Sequence, residues 1–257
     1  MPKTGHLLID GDAVIYPAGF IAASRGVSCD ETISNVLNNF HNIFEKSRTI
    51  LGDRYGIHIE GTHYYFTSKG SPKYRDQFRK YIPYKEYRSK TVAPLYVQEM
   101  LAQVAAEFPY GFIMADPLRG EADDYISSAA HTWATPCIVH VDKDLNQIPG
   151  LHIDLKDPNI IYNVSPLLGA ASKYQQILMG DTADNIPGLN GIGLARSRTI
   201  IGKCKTETEL FERCLDTYWQ NLKSDHDEEY IIDLFYETAN LVHLRTNLTD
   251  DCWHPPV

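Results

Sequence analysis

Carboxylates recur at four places along the 257-residue chain: Asp10 with Asp12, Glu121 with Asp123 and Asp124, Asp142 with Asp144, and Asp181 with Asp184. The first pair stops a short apolar run at 6–10, and the third follows another at 137–141. The second cluster opens a helical pattern; the fourth lies in Gly180-Asp-Thr-Ala-Asp-Asn-Ile-Pro-Gly188. If the apolar runs are parallel strands, their C-terminal ends share one sheet edge, where ligands bind. So many like charges at one edge repel unless cations neutralise them. Hard divalent ions that take oxygen ligands, Mg²⁺ or Mn²⁺, suit that task. Each cluster alone has an ordinary use, since acids at a helix start are favoured by capping and the helix dipole, and Asp-Gly-Asp after a strand is common turn chemistry. Their recurrence in this order is what points to a metal centre.

Two further stretches suit phosphate. Gly188, Gly191 and Gly193 precede a helix expected from about Leu194, so the backbone can approach an anion and the free N–H groups of the helix start can grip it. Arg196 and Arg198 follow at once, in an acid-free stretch from 185 to 206. Residues 69–90 hold eight bases, among them Lys69, Arg75, Arg79, Lys85 and Arg88, against Asp76 and Glu86. Tyr74, Tyr81, Tyr84 and Tyr87 are interleaved with them, a pattern that fits cations on phosphates and rings on unpaired bases. The plain alternatives are a helix–helix turn and a solvated loop whose tyrosines pack inward.

Positioning these groups requires a sheet. Apolar runs at 6–10, 63–67, 111–115 and 137–141 read as strands, with weaker ones near 151–154 and 160–162. Helical spacing appears over 31–51, 95–108 and 123–133. Strands alternating with helices predict a parallel sheet covered on both faces. After about residue 165 the chain reads as helical.

Composition bounds the rest. With 43% hydrophobic residues the chain can bury a large core, which excludes intrinsic disorder. Mean hydropathy is −0.30, and no run approaches the roughly 20 residues of a membrane helix. The first residues lack the apolar stretch of a signal peptide, and five scattered cysteines read as reduced thiols. These features predict a cytoplasmic protein with no membrane partner. The net charge of −9 sits in residues 206–257, leaving the first 205 neutral and the two basic stretches unopposed.

By L-I-D-G-D (8–12), Y-K-E-Y-R (84–88), G-E-A-D-D (120–124), V-D-K-D-L (141–145) and G-D-T-A-D-N-I-P-G-L-N-G-I-G (180–193), in this order, the chain resembles the 5′-nuclease superfamily of flap endonucleases, polymerase 5′-nuclease domains and phage 5′–3′ exonucleases. The resemblance implies an α/β, PIN-like (Rossmann-like) catalytic core over 1–165 with a basic arch or clamp at 69–100. It also implies a helical DNA-binding region over 166–257 containing a helix-hairpin-helix motif. One metal cluster would use Asp10, Glu121, Asp123 and Asp124; the second would use Asp142, Asp144, Asp181 and Asp184. Lys85 and Arg88 would contact the scissile phosphate, Tyr84 would stack on a base, and the 188–193 hairpin would hold duplex backbone, with a K⁺ ion as in relatives. The implied reaction is phosphodiester hydrolysis with paired ions roughly 3.5–4 Å apart, one activating water and the other stabilising the leaving oxygen. Implied partners are DNA with a 5′ end or flap and RNA–DNA hybrids, met by a monomer in phage-infected or bacterial cytoplasm. One departure stands out: many relatives have a further Asp after the second strand, where this chain reads Thr67-Ser68-Lys69-Gly70. Either that site has one carboxylate fewer or Asp12 partly substitutes, and Asp12 is expected to be a solvent-facing turn residue. The alternatives are a haloacid-dehalogenase-like phosphatase with Asp10 as nucleophile and Asp12 as acid/base, a PIN-like ribonuclease, and a branched-DNA-binding protein without activity.

Overall fold

The computed structural model describes residues 3–70, 72–86, 94–249 and 252–256. A six-stranded sheet runs in the order β3-β2-β1-β4-β5-β6. Its strands are β1 (Lys3–Asp10), β2 (Ile57–Thr67), β3 (Phe112–Ala115), β4 (Pro136–His140), β5 (Gly150–Asp154) and β6 (Ile161–Val164). The first five are parallel and β6 pairs antiparallel with β5 at the edge. Leu7, Leu8 and Ile9 are all fully buried, as expected of a central strand covered on both faces. Leu7 and Ile9 join Phe66, Val139 and Ile153 on one face, packed by α1 (Asp12–Arg25), α2 (Cys29–Tyr55) and α3 (Val97–Glu107). Leu8, Tyr65 and Ile138 face the other side, against α4 (Ala122–Thr132).

Each expected strand and helix forms, with boundaries shifted by a few residues. The exceptions are informative. β2 begins at Ile57, six residues early, because its first half pairs with β1 through a register shift at Gly5/His6 that breaks the alternation. The turn expected at 10–12 is instead the start of α1, with Gly11 as its N-cap. Its Ala-Val-Ile run shows no single apolar stripe, and Pro17 inside it reads as a breaker.

A second core lies in the C-terminal part. It gathers Tyr174 and Ile177 from α5 (Pro166–Met179), Ile201 from α6 (Leu194–Ile201), Leu210 and Tyr218 from α7 (Glu207–Leu222), and Phe235 from α8 (Glu228–Val242). Ile82 and Tyr84, from the basic stretch, are buried in it as well. Between α5 and α6 a two-residue-per-strand hairpin, β7 (Gly180–Asp181) and β8 (Ile186–Pro187), carries Asp181 back toward the sheet. Among the described residues no helix is long and apolar enough to cross a membrane.

Candidate active site

The chain leaves β1 toward β2 and β3 on one side and returns to β4 on the other, so the crevice between β1 and β4 is the topological switch point. Asp10 is the last residue of β1, and Asp142 stands two residues past β4. A cavity of about 1090 Å³ opens there, lined by Asp10, Asp12, Glu121, Asp123, Asp142, Asp144, Asp181 and Asp184. Of the acids expected from sequence, only Asp124 is absent from its walls.

Burial and mutual repulsion dominate the electrostatics. Burial, then Asp12 and Asp142, push Asp10 up to about 7. Burial, then Asp142 and Asp181, push Asp144 up to about 7 as well. Asp123 is raised by burial and by Asp10 and Asp142. Glu121 goes the other way: burial would raise it, but Lys85, Arg75 and Lys73 outweigh burial and hold it well below the usual range. The ammonium of Lys73 lies 2.9 Å from Glu121, and Lys85 bonds Glu121 while standing 3.4 Å from Asp184. Lys143 lies 2.9 Å from Asp181. Lysine ammoniums thus stand among these carboxylates where cations are wanted. The donor set, hard carboxylate oxygens short of positive charge, fits divalent cations. Among the described residues no three such side chains converge on one point; the carboxylates share a cavity, not a ready-made shell.

Four expected roles are corrected by the packing. Asp124 is fully buried, and both its oxygens are used: Arg75 donates to them at 2.6 and 2.8 Å, Glu121 N–H at 2.9 Å and Arg245 N–H at 3.1 Å. It is therefore not a free metal ligand. Arg75, only 4% exposed, also donates to the carbonyls of Leu241 and His243, so it is not a DNA contact. Tyr84 is buried in the second core with the Lys85 ammonium 4.9 Å from its ring centre, which leaves no open face for a base. Asp12 does not face solvent: it lines the cavity and accepts the Thr67 N–H at 3.1 and 3.2 Å. Burial pushes it up to about 6 against those hydrogen bonds. Ser68 donates to the Ala115 carbonyl, so Asp12 is the carboxylate that stands at the end of β2.

Lys69 is exposed at the cavity rim, and Arg79 is exposed beside Asp76. Arg88 lies outside the described residues. Gly191, Gly193, Arg196 and Arg198 are exposed around the start of α6. Gly191 has φ +71°, a conformation that favours glycine. Gly188 has a different reason: a Cβ there would meet the Met179 carbonyl at 1.9 Å, so it is needed for backbone packing.

Sequence reasoning missed several contributors. His140 bonds the Asp142 carbonyl at 2.6 Å and His152 at 2.7 Å, and His152 bonds the Ile148 carbonyl at 2.8 Å, a buried brace under the Asp142 turn. Gln176 on α5 donates to Asp144 at 2.5 Å, tying the helical part to the site. Tyr16 and Phe20 of α1 line the same cavity. Histidines alternating with apolar residues in a strand carry no mark of this; only the pairing of β4 with β5 brings His140 and His152 together.

Several solved structures share this fold. The fold matches bacteriophage T5 5′-exonuclease with bound zinc at TM-score 0.63, with 17% identity, 97% of this chain and 92% of that chain covered. It matches the T5 D15 protein co-crystallised with metal ions at 0.61, with the same identity and coverage. Among curated proteins, a 5′-3′ exonuclease of Mycoplasma genitalium is 29% identical over 208 residues, 73% of this chain and 68% of that protein. DNA polymerase I of Rhizobium leguminosarum is also 29% identical; the match covers 98% of this chain and 26% of the polymerase. No protein-family profile matches the sequence. The chain is thus similar in sequence to a 5′-3′ exonuclease and to part of a DNA polymerase I, and similar in fold to T5 5′-exonuclease.

Proposed function

We propose that the protein is a divalent-metal-dependent 5′-nuclease that hydrolyses phosphodiester bonds of DNA in the 5′–3′ direction, at free 5′ ends and at 5′ flaps. The observation that carries this reading is the gathering of Asp10, Asp123, Asp142 and Asp181, distant in sequence, on one cavity. The T5 relatives were crystallised with metal ions and, in one case, with DNA, which supports the same reading here. Asp10, Glu121, Asp123, Asp142, Asp144, Asp181 and Asp184 would hold the ions, Mg²⁺ or Mn²⁺, and Asp12 would complete the set. When bound, such ions activate water and stabilise the leaving oxygen. Lys85, fixed between Glu121 and Asp184, places an ammonium where a phosphate bridging the two acid groups would lie and offsets its charge. Exposed Lys69 and Arg79 would contact the strand entering the cavity; Gly191, Gly193, Arg196 and Arg198 would hold duplex backbone at the start of α6, in a helix-hairpin-helix grip with K⁺. Residues 1–165 and 166–257 would act as catalytic core and DNA-binding region of a monomer, with RNA–DNA hybrids as further substrates.

The phosphatase alternative gives no use to Glu121, Asp123, Asp142 and Asp144, which share the cavity with Asp10 and Asp12. End-labelled flap, nicked and blunt duplexes test the proposal. Short 5′ products are expected with Mg²⁺ and none with EDTA. Tight binding of branched DNA with no cleavage in Mg²⁺ or Mn²⁺ would leave only the non-catalytic reading, and preferential cutting of RNA flaps the ribonuclease one.

Metal binding should also register without substrate. Asp10 and Asp144 have folded values, about 7, above their ordinary 3.8. A raised carboxyl favours folding below its unfolded value, and that contribution is lost as pH rises through the folded value. The metal-free protein therefore loses stability from these groups between pH 4 and 7, and a divalent ion restores it. At a hundredfold excess over its Kd, Mg²⁺ is expected to add about 2.7 kcal/mol at pH 8, or roughly 5–10 °C in Tm for a chain of this size. At pH 5 protons compete and the gain should largely vanish. Equal gains at both pH values in thermal melts would show that the ion binds elsewhere.

A further inference from the structure

The acidic C-terminal helices have a use in the site that their charge alone does not reveal. Glu237, on α8, is 5% exposed. One of its oxygens accepts the N–H groups of Lys80, Tyr81 and Ile82 at 2.8, 3.0 and 2.8 Å, and the other accepts that of Tyr81 at 2.8 Å. Three consecutive peptide N–H groups thus form a nest around one carboxylate, a concavity that binds anions. The nested residues lead directly to Lys85. That lysine has φ +55°, a conformation costly for a non-glycine residue and kept only where the surroundings fix it. What fixes it is visible on both sides: the Lys85 N–H donates to the Asp184 carbonyl at 2.8 Å, and Asn185 Nδ2 donates to the Pro83 carbonyl at 2.7 Å. Ile82 and Tyr84, buried in the second core, close the segment from below. A lysine ammonium on a flexible four-carbon stem has no preferred direction of its own; here its backbone is set by these anchors.

We infer that Glu237 is a positioning residue for Lys85: by holding the 80–82 backbone it sets where the Lys85 ammonium meets Glu121 and Asp184. The inference rests on the proposed role of Lys85 in the nuclease reaction. Glu237→Gln keeps the shape but offers one acceptor and turns an NH₂ group against the peptide N–H groups.

The test is a double-mutant cycle on the single-turnover cleavage rate, with DNA affinity measured separately in Ca²⁺. E237Q is expected to slow cleavage by about tenfold, the scale on which supporting residues act, with affinity almost unchanged. In a Lys85→Ala background it should add nothing, because there is no ammonium left to place. Asn185→Ala, a change at a half-buried position outside the second core, should show the same dependence on Lys85 and serves if E237Q fails to fold. Equal slowing by E237Q or N185A with and without Lys85 would overturn the inference, since it marks a general structural effect; so would a wild-type rate in both variants while K85A is slow. A K85A protein that cuts at the wild-type rate would instead overturn the underlying role of Lys85.

Discussion

Asp142→Asn will abolish cleavage and leave the protein folded. Asp142 is the neighbour that Asp10, Asp123 and Asp144 have in common: its charge raises all three. It therefore stands close to acids of both groups, and it would be among the residues holding a divalent ion there. Removing such a ligand forfeits several kcal/mol of transition-state stabilisation, and at 1.36 kcal/mol per tenfold the single-turnover rate should fall by roughly a thousandfold or more. Asp181→Ala, which also strips Lys143 of its partner at 2.9 Å, should match it. Duplex binding, assigned to exposed bases outside the cavity, should survive in both. The apoprotein gives a second readout of opposite sign: without the Asp142 charge, Asp10 and Asp144 repel less, so D142N should melt higher than wild type at pH 8 in EDTA. A variant that cuts at the wild-type rate would remove Asp142 from the metal-holding set.

The sheet was legible because burial on both faces writes itself as uninterrupted apolar runs, and the acids because they stop those runs. Asp10 and Asp142 needed no more than that: whatever the details, residues just past parallel strands share an edge. What could not be read was the direction a side chain takes within a segment of uniform charge. Lys73, Arg75 and Lys85 lie in the same basic stretch as Lys69 and Arg79, yet the first three turn inward to Glu121 and Asp124 while the others face solvent. Nothing local separates them, because the partners are 36 to 49 residues away in the chain. Tyr84 illustrates the same point: its spacing among bases suits stacking, and its burial follows from the second core, whose other residues lie almost entirely beyond residue 166. Asp12 was misread for a different reason. A Gly N-cap and a first-turn Asp look like a turn when the helix beyond them contains a proline.

Arg75→Ala should be the most destabilising single change outside the apolar cores. Its guanidinium makes two bonds to the fully buried Asp124 and two to backbone carbonyls at the end of α8, so one side chain ties the basic stretch, the start of α4 and the C-terminal segment together. Deleting it leaves Asp124 charged and without its cation, a loss of about 3–5 kcal/mol for a broken buried pair. For a chain of this size that corresponds to roughly 6–20 °C in Tm. Replacing both partners, as in Arg75→Met with Asp124→Leu, should recover part of the loss, because no charge is then stranded. Recovery stays incomplete, since the Leu241 and His243 carbonyls and the Glu121 and Arg245 N–H groups lose their partners. DNA binding separates this role from a phosphate contact. A phosphate-binding arginine would leave Tm unchanged and lower the salt slope of DNA affinity by about one on removal. Arg75→Ala, assayed below its lowered melting temperature, should keep the wild-type slope, whereas Arg79→Ala, with its side chain in solvent, should show the reduced slope and an unchanged Tm.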